Sequence, residues 1–303
     1  MLAFKLTMII IYGSTGFIGS HIVKELIKNG ISFLCSKTRI HDYTNVRKEL
    51  LLYKPTNVIN SAGFATPNNI DFYEENVENK SNLILANTAG NIILANLCKE
   101  FDIHYITIMS GCIYNSKQTE YNAKHMQYTT KFKEFKEKDE PNFSGSLYSK
   151  NRILTEELLS VYDNICIVRI RMPISSFMHP KSLINKLLSY REITNLPNSI
   201  TVLDDCIPKI IDILKENKIG TVNLVNSGSI TNAYICYLYK KIVNRRHRFS
   251  VVSLEEIENK NIDKAKRSNC VLIPSTSLGE IPYITTSIIN IFKKFKLTKD
   301  IYC

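Results

Sequence analysis

The sequence predicts an α/β fold, in which a doubly wound parallel sheet is joined to a smaller, discontinuous C-terminal domain. Three observations support this fold class. Strand-like and helix-like segments alternate through the first half of the chain. The first strand-like segment, Met8–Tyr12, is an unbroken apolar run, as expected for a parallel strand that is covered on both faces. A glycine-rich turn then leads from that strand into a helix, so the chain opens with a βα unit.

The other elements of the sheet follow in chain order. Apolar residues at helical spacing predict a first helix over Phe17–Lys28, which Asn29-Gly30 ends. The remaining segments are strands over Ile31–Cys35, Asn57–Ser61, Ile103–Met109 and Ile165–Ile170, and helices over Tyr43–Tyr53, Asn79–Lys99 and Leu147–Tyr162. Strands separated by helices pair in parallel, because each helix carries the chain back along the sheet.

After Arg171 the alternation becomes less regular, since Met172-Pro173 breaks the strand pattern. The later segments are helices over Ser182–Tyr190, Asp204–Glu216, Asn232–Val243 and Thr285–Phe295, and a strand over Thr221–Val225. We therefore expect a sheet domain over 1–171 plus 204–226 and a smaller domain over 172–203 plus 227–303.

The composition narrows the classes of partner. Of 303 residues, 44% are hydrophobic and 22% charged, which is ordinary for a globular protein. The 39 basic and 28 acidic residues give a net charge of +11, which raises nucleic acid, anionic membranes and small anions as partners. No apolar run approaches the roughly 18 residues of a membrane helix. No nucleic-acid-binding motif accompanies the charge, so we expect neither a membrane nor a nucleic-acid partner.

The eight cysteines are scattered along the chain without a CxxC pair. This usage favours reduced thiols and a cytoplasmic location, and we expect no metal site. The N-terminal apolar stretch is too short for a signal peptide.

The turn after the first strand has a composition typical of nucleotide binding. It reads Gly13, Ser14, Thr15, Gly16, Phe17, Ile18 and Gly19, with three glycines in the spacing GxxGxxG. Glycines there allow the backbone to approach a pyrophosphate, and the N-terminus of the following helix faces its negative charge. Because the motif lies in the first βα turn, it predicts a Rossmann-type dinucleotide-binding domain.

The residues after the second and third strands indicate which cofactor is bound and what lies close to it. NAD-preferring sheets place an acidic residue after the second strand, on the ribose 2′-hydroxyl. Here that segment has Ser36, Lys37 and Arg39, two cations and no carboxylate, so NADPH is favoured over NADH. After the third strand, the residues expected close to the cofactor are Asn60, Ala62 and Gly63.

A reactive set of side chains is predicted at the carboxyl end of the sheet. Ser110 and Cys112 follow the fourth strand, and Tyr148 begins the next predicted helix. A serine hydroxyl, a tyrosine phenol and a nearby cation together form an acid suited to ketone reduction. Taken singly, each of these residues also fits an ordinary structural role.

These motifs resemble those of the extended short-chain dehydrogenase/reductase superfamily. More closely, the chain is similar to the bifunctional UDP-4-keto-6-deoxyglucose 3,5-epimerase/4-reductases that make UDP-L-rhamnose. The segments that carry this resemblance are Gly111–Ile113, Pro141–Lys150, Val168–Ser176, Leu196–Asp204 and Arg267–Asn269. The resemblance spans almost the whole chain, from about Ile9 to Phe295.

The resemblance implies roles for single residues. Ser110 and Tyr148 match the reductase serine and tyrosine, and Cys112 matches the epimerase cysteine, whose partner lysine is Lys186. The cofactor would contact Asn87, and the nucleotide of the sugar would contact Asn198, Arg267 and Asn269. The implied partners are a nucleotide-sugar substrate, a second copy of the chain in a homodimer, and a 4,6-dehydratase that supplies the substrate.

One position departs from the superfamily pattern. The superfamily has lysine four residues after the tyrosine, whereas this chain has Arg152 there and Lys150 two residues on. Arginine keeps the charge but relays a proton poorly. Two other functions therefore stay open: a reductase of dTDP-4-dehydrorhamnose without epimerase activity, and a non-catalytic NADP-binding regulatory subunit.

Overall fold

The computed structural model describes residues 8–66, 69–122, 127–260 and 264–302, with the backbone alone over 118–122, 127–131 and 298–302. The chain divides into two compact units. The first comprises residues 1–113, 143–169 and 207–222, and the second 114–142, 170–206 and 223–303. The first predicted domain begins at residue 1, and the second ends at residue 303. Residues 1–7 and 303 lie outside the described residues.

The strands and helices are numbered in chain order. The strands are β1 (Ile9–Tyr12), β2 (Phe33–Ser36), β3 (Asn57–Asn60), β4 (His104–Ser110), β5 (Lys117–Asn122), β6 (Gln127–Phe132), β7 (Glu134–Phe135), β8 (Ile165–Ile170), β9 (Glu192–Thr194), β10 (Pro197–Asn198), β11 (Gly220–Asn223), β12 (Ile230–Thr231), β13 (Ser250–Val252) and β14 (Val271–Leu272). The helices are α1 (Phe17–Lys28), α2 (Tyr43–Tyr53), α3 (Val77–Ile84), α4 (Gly90–Glu100), α5 (Leu147–Leu159), α6 (Leu183–Ser189), α7 (Leu203–Cys206), α8 (Pro208–Glu216), α9 (Asn232–Ile242), α10 (Leu254–Asn259) and α11 (Ile284–Tyr302).

The first unit is built on a six-stranded sheet in the order β2-β1-β3-β4-β8-β11, which confirms the predicted fold class. Ile9 lies opposite Phe33 on one side and Asn57 on the other, both in parallel register. All four residues of β1 are buried, as the apolar run predicted. The chain reverses its direction of growth between β1 and β3, and doubly wound sheets bind ligands beside such a point.

The core of the first unit lies between this sheet and the helices that cover it. Ile10 of β1 and Tyr105 of β4 are fully buried, together with Val46 of α2 and Leu94 of α4. Burying an apolar side chain of this size contributes about 1.5–3 kcal/mol. The carboxyl ends of β1, β3 and β4 are therefore held on a rigid base.

One predicted helix is interrupted. The segment Asn79–Lys99 was predicted as one helix, and the structure has α3, a π-helical turn over Leu85–Ala89, and α4. A π turn holds one more residue than an α turn, and such turns are frequent at functional sites. This turn buries Asn87 completely.

The second unit is built from short strand pairs and helices. The pairs are β5 with β6, β7 with β14, β9 with β13, and β10 with β12. Its core includes Ile184 of α6, Ile235 of α9 and Ile288 of α11. Residues 114–142, predicted within the sheet domain, lie in this second unit because β7 pairs with β14 and the Ser116 amide donates to the Asn269 carbonyl over 2.7 Å. The predicted domain bounds stay a prediction.

Two features are absent from the described residues, a membrane-spanning helix and a metal-binding cluster. None of the helices there combines the length and the apolar character needed to cross a membrane. In that same part of the chain, no group of three or more His, Cys, Asp or Glu side chains is arranged to hold a metal ion.

Candidate active site

The glycine turn is closed by the backbone itself. Gly13 has φ of 76°, in the left-handed region, and its carbonyl accepts from the Gly16 amide over 3.0 Å. A Cβ on Gly13 would lie 2.4 Å from the Ala62 nitrogen, and one on Gly19 would lie 2.1 Å from the Gly13 oxygen. Both positions therefore require glycine, because the turn packs directly against α1 and the segment after β3.

The N-terminus of α1 has a glycine as its cap residue. Gly16 has no side chain, so it makes no side-chain cap hydrogen bond to the first amides of the helix. The first turn of α1 carries no acidic residue. Uncapped amides and the positive end of the helix dipole together favour a phosphate group here.

The segment after β3 is fixed by side-chain hydrogen bonds. Ser61 Oγ donates to the Tyr12 carbonyl over 2.9 Å, and the Ala62 amide donates to Asn60 Oδ1 over 2.9 Å. The Phe64 amide donates to Asn87 Oδ1 over 2.8 Å. The predicted cofactor residues Asn60, Ala62, Gly63 and Asn87 thus come together beside the glycine turn, where a Cβ on Gly63 would lie 2.8 Å from Asn87 Oδ1.

The end of β2 carries a carboxylate that the sequence did not predict there. Glu49 of α2 accepts from Ser36 Oγ over 2.8 Å, from Thr38 Oγ1 over 2.7 Å and from the Tyr12 hydroxyl over 3.0 Å. The segment after β2 itself has no carboxylate, and Glu49 reaches it because α2 folds back onto the strand end. Lys37 and Arg39, the two predicted phosphate ligands, are exposed.

Ser110 and Cys112 lie together after β4. Ser110 is buried, and its Oγ accepts from the Cys112 amide over 3.2 Å. The Cys112 carbonyl accepts from Ser149 Oγ over 2.7 Å. This bond joins the strand end to the first turn of α5, so the predicted serine, cysteine and tyrosine segments meet.

Tyr148 and Arg152 lie one turn apart on α5. Ser146 is the N-cap residue of the helix, and its Oγ accepts from the Ser149 amide over 3.1 Å. Arg152 places its guanidinium carbon 5.1 Å from the centroid of the Tyr148 ring and donates from Nη1 to Met109 Sδ over 3.3 Å. The positive charge expected beside the phenol is thus supplied by arginine.

Tyr73 is a site residue that the sequence did not predict. Its ring stacks on that of Tyr148, with centroids 5.6 Å apart and planes 7° apart. It lies in a 3₁₀ turn over Ile70–Glu74, some 70 residues before Tyr148, so no local motif connects the two.

Lys186 lies in the second unit, on α6, and is half-buried. Burial lowers the pKa of its ammonium group, and the positive charges of Lys181 and Arg267 lower it further. Two predicted residues, Lys186 and Arg267, are therefore electrostatic neighbours within this unit. A lowered lysine pKa favours proton transfer near neutral pH.

Asn198 and Asn269 form a buried polar cluster in the second unit. Asn198 Nδ2 donates to Asn269 Oδ1 over 3.3 Å, and Asn198 Oδ1 accepts from Arg171 Nη2 over 2.9 Å. Asn269 Nδ2 is buried without a hydrogen-bond partner among the described residues. Arg171, which sequence reasoning placed in a motif but not in the site, holds the cluster in place.

Comparison with known proteins identifies the family. The model of the NAD dependent epimerase/dehydratase family matches residues 9–164, which include the glycine turn, Ser110 and Tyr148. The chain belongs to this family. The resemblance drawn from the motifs is thereby confirmed at the level of family.

The relatives of the chain include enzymes whose names refer to rhamnose or its keto precursors. The chain is 37% identical, over 90% of its length, to the Arabidopsis thaliana trifunctional UDP-glucose 4,6-dehydratase/UDP-4-keto-6-deoxy-D-glucose 3,5-epimerase/UDP-4-keto-L-rhamnose-reductase RHM1, and it spans 39% of that protein. It is 34% identical, over 90% of its length and 87% of the relative, to the Arabidopsis thaliana bifunctional dTDP-4-dehydrorhamnose 3,5-epimerase/dTDP-4-dehydrorhamnose reductase. It also resembles the crystal structure of the L780 UDP-rhamnose synthase from Acanthamoeba polyphaga mimivirus, with a TM-score of 0.84, 32% identity and coverage of 95% and 99% of the two chains.

The residues present fit the nicotinamide dinucleotide of the family. The glycine turn and the uncapped start of α1 fit a pyrophosphate. Asn87 Nδ2 is buried without a hydrogen-bond partner among the described residues, as expected of a donor that a bound cofactor would satisfy. The candidate site thus combines a glycine turn that fits a dinucleotide with a hydroxyl, a phenol and a cation.

Proposed function

We propose that this protein converts UDP-4-keto-6-deoxy-D-glucose to UDP-L-rhamnose by 3,5-epimerisation followed by NADPH-dependent reduction of the 4-keto group. The observation that carries the proposal is the joining of Ser110 and Cys112 to Tyr148 and Arg152 through the Ser149–Cys112 hydrogen bond, beside a dinucleotide cradle. The names of the relatives support the same substrate class.

In the proposed reduction, the protein's own residues place and supply a proton. NADPH supplies a hydride when it is bound. Tyr148 donates its phenolic proton to the 4-keto oxygen as negative charge develops there, and the Ser110 hydroxyl hydrogen-bonds to the same oxygen. Arg152 stabilises the resulting phenolate through its fixed positive charge.

In the proposed epimerisation, the 4-keto group acidifies the protons at C3 and C5. A base removes each proton and an acid returns one to the opposite face of the carbon. We assign these two roles to Cys112 and Lys186 together. The lowered pKa of Lys186 supports this role, because a larger share of the side chain is then neutral near pH 7. Each removal leaves negative charge on the 4-keto oxygen, the atom that the reduction also uses.

The two proposed ligands, NADPH and a UDP-sugar, are anionic, and we assign several cationic side chains to bind them. Lys37 and Arg39 are exposed beside the end of β2, and these two cations support NADPH over NADH. We assign the nucleotide of the sugar to Arg267, Asn198 and Asn269. The unpartnered Asn269 Nδ2 supports this assignment, since a buried amide donor gains a partner from a ligand.

Replacing Cys112 by Ala is expected to abolish deuterium uptake at C3 and C5 of the 4-keto sugar in deuterated buffer. The reason is that the epimerase pair then lacks one member, while the cofactor cradle stays intact. The measurement is proton NMR of UDP-4-keto-6-deoxyglucose incubated with the enzyme, with NADPH loss followed in parallel. Cys98→Ala, at a fully buried cysteine in α4, is the matched control and keeps the uptake.

The same assay separates the alternatives. Reduction of an already epimerised 4-keto sugar, with no uptake by the unaltered enzyme, would favour a reductase alone. Tight NADPH binding without turnover of any 4-keto sugar would favour a regulatory subunit. Uptake that persists in the Cys112→Ala protein would contradict the assignment of that residue.

Arg152→Lys is expected to keep the reduction rate within about threefold of the unaltered enzyme, or to raise it, because lysine supplies the charge that the superfamily uses. Arg152→Met is expected to lower the rate by about 10- to 100-fold, since the phenolate loses its cation. Stopped-flow measurement of NADPH oxidation gives both rates. The control is Lys150→Met, which removes an exposed cation two residues away. Equal rates for Arg152→Met and Lys150→Met would show that the charge at 152 has no part in the reduction.

We also propose that the chain forms a homodimer through an apolar face of the first unit. Leu154 and Leu158 lie one turn apart on α5 and are 50% and 43% exposed. Val77 and Ile84 of the neighbouring α3 are 77% and 51% exposed. Clustered exposed apolar side chains on contacting helices are typical of a protein interface.

The proposed substrate carries a 4-keto group and a 6-deoxy carbon, so a 4,6-dehydratase must supply it. Coupling to such an enzyme stays a proposal, in agreement with the dehydratase activity in the name of the trifunctional relative. The cytoplasmic location also stays a prediction, drawn from the cysteines.

A further inference from the structure

Tyr73 connects three parts of the first unit. It is only 3% exposed, and its ring stacks on that of Tyr148 with planes 7° apart. Its neighbour Glu74 accepts from the Leu147 amide over 2.8 Å through Oε1, at the start of α5. The 3₁₀ turn over Ile70–Glu74 is thus docked on the first turn of α5 by a ring stack and a charge-assisted hydrogen bond.

The hydroxyl of Tyr73 is anchored on the other side. It donates to the Phe64 carbonyl over 2.7 Å, while the Phe64 amide donates to Asn87 Oδ1 over 2.8 Å. Both backbone polar groups of Phe64 are therefore held, one by Tyr73 and one by the π turn. Phe64 directly follows Gly63, so this contact fixes the segment that we place beside the cofactor.

Tyr73 is poorly suited to be an acid itself. Burial raises the pKa of its hydroxyl well above the ordinary tyrosine value, and the group already donates to a carbonyl. Tyr148 is less buried, and a phenol at a helix start can turn about two side-chain torsions unless a neighbour restrains it. A ring parallel to it supplies that restraint.

We propose that Tyr73 is a positioning residue, which fixes the plane of the Tyr148 phenol by stacking and ties it to the Gly63–Phe64 segment through its hydroxyl. The inference rests on the proposed function in one respect, that Tyr148 is the proton donor in the reduction. A misplacement of about 1 Å of a reacting group can cost about 100-fold in rate, so restraint of the phenol has a measurable value.

The test uses two variants of Tyr73 in the full chain. Tyr73→Leu removes the stack and the anchor, and we expect it to lower kcat of the reduction by about 30- to 100-fold with KM within about threefold. Tyr73→Phe keeps the stack, and we expect kcat within about threefold and NADPH binding a few-fold weaker, because the Phe64 carbonyl loses its partner. Deuterium uptake at C3 and C5 is expected to stay within about twofold in both.

The control is Tyr237→Leu, which removes one ring of the exposed stacked pair Tyr234–Tyr237 on α9. We expect it to leave both activities unchanged. Equal losses of reduction and uptake in Tyr73→Leu would indicate a general structural role and overturn the proposal. Equal losses in Tyr73→Phe and Tyr73→Leu would overturn the role of the stack.

A measurement without substrate separates this proposal from the proposed function. Ring flips of Tyr148 are followed by NMR of ring-labelled tyrosine, with the signal assigned from Tyr148→Phe. The stack predicts slow flips in the unaltered protein and in Tyr73→Phe, and faster flips in Tyr73→Leu. If the unaltered protein fails to reduce the sugar, the proposed function fails, and the flip rates still decide the role of Tyr73. Equal flip rates in all three proteins would overturn it.

Discussion

Tyr148→Phe is expected to lower the rate of NADPH-dependent reduction by about 100- to 10,000-fold, the usual contribution of a general acid. The phenolic hydroxyl, which carries the donated proton, is the only group that this change removes. The phenylalanine ring can still stack on Tyr73 and lie beside Arg152, so the shape of the site is kept. Stopped-flow measurement of NADPH oxidation with the epimerised 4-keto sugar gives the rate, and NADPH fluorescence gives binding, expected within about twofold.

The control for this change is Tyr162→Phe. That residue follows α5 and donates its hydroxyl to Asn96 Oδ1 over 2.6 Å at the exposed surface, so the same atom is removed away from the site. Deuterium uptake at C3 and C5 is expected to continue in Tyr148→Phe, because the proposed epimerase pair does not include the phenol. Reduction at the unaltered rate would mean that another group protonates the 4-keto oxygen.

The parts of the fold that the sequence predicts are those with local signals. The apolar run at β1 predicts a strand buried on both faces, and all four of its residues are buried. The start of α1 at Phe17 follows from the glycine turn and its end from Asn29-Gly30. The parallel sheet then follows from the alternation, since a helix between two strands leaves little choice of direction.

The parts that the sequence does not predict depend on distant contacts. Strands of two or three residues, such as β7 and β14, are too short to carry a period, and only their pairing defines them. The π turn around Asn87 interrupts a segment whose apolar spacing is that of one continuous helix. The π turn is part of the candidate site, because Asn87 accepts there from the Phe64 amide.

The residues of the candidate site also fall into two groups, those with a local sequence signal and those placed only by distant contacts. The motif residues Ser110, Cys112 and Tyr148 are predicted from the sequence because the ends of parallel strands meet at one edge of a sheet. Glu49 and Tyr73 have no such signal. Each lies 13 or more positions along the chain from its partner, Glu49 from Ser36 and Tyr73 from Tyr148.

Gly13→Ala is expected to destabilise the first unit by about 4 kcal/mol or more and to abolish NADPH binding. Two costs add. The left-handed backbone at φ of 76° costs an alanine about 1–2 kcal/mol. The new Cβ would also lie 2.4 Å from the Ala62 nitrogen and 2.6 Å from its Cα, so the backbone of the glycine turn or of the segment after β3 has to move. The measurements are the free energy of unfolding in urea and NADPH fluorescence.

The matched control is Gly30→Ala. Gly30 also has a left-handed backbone, with φ of 63°, but a Cβ there would meet nothing within 4 Å. Gly30→Ala is therefore expected to lower the free energy of unfolding by about 1 kcal/mol, the cost of a left-handed alanine alone. NADPH binding is expected to be unchanged. The difference between the two variants isolates the contact between the glycine turn and Ala62. Equal destabilisation and equal NADPH affinity in the two would mean that the close approach of β1 and β3 does not build the cofactor cradle.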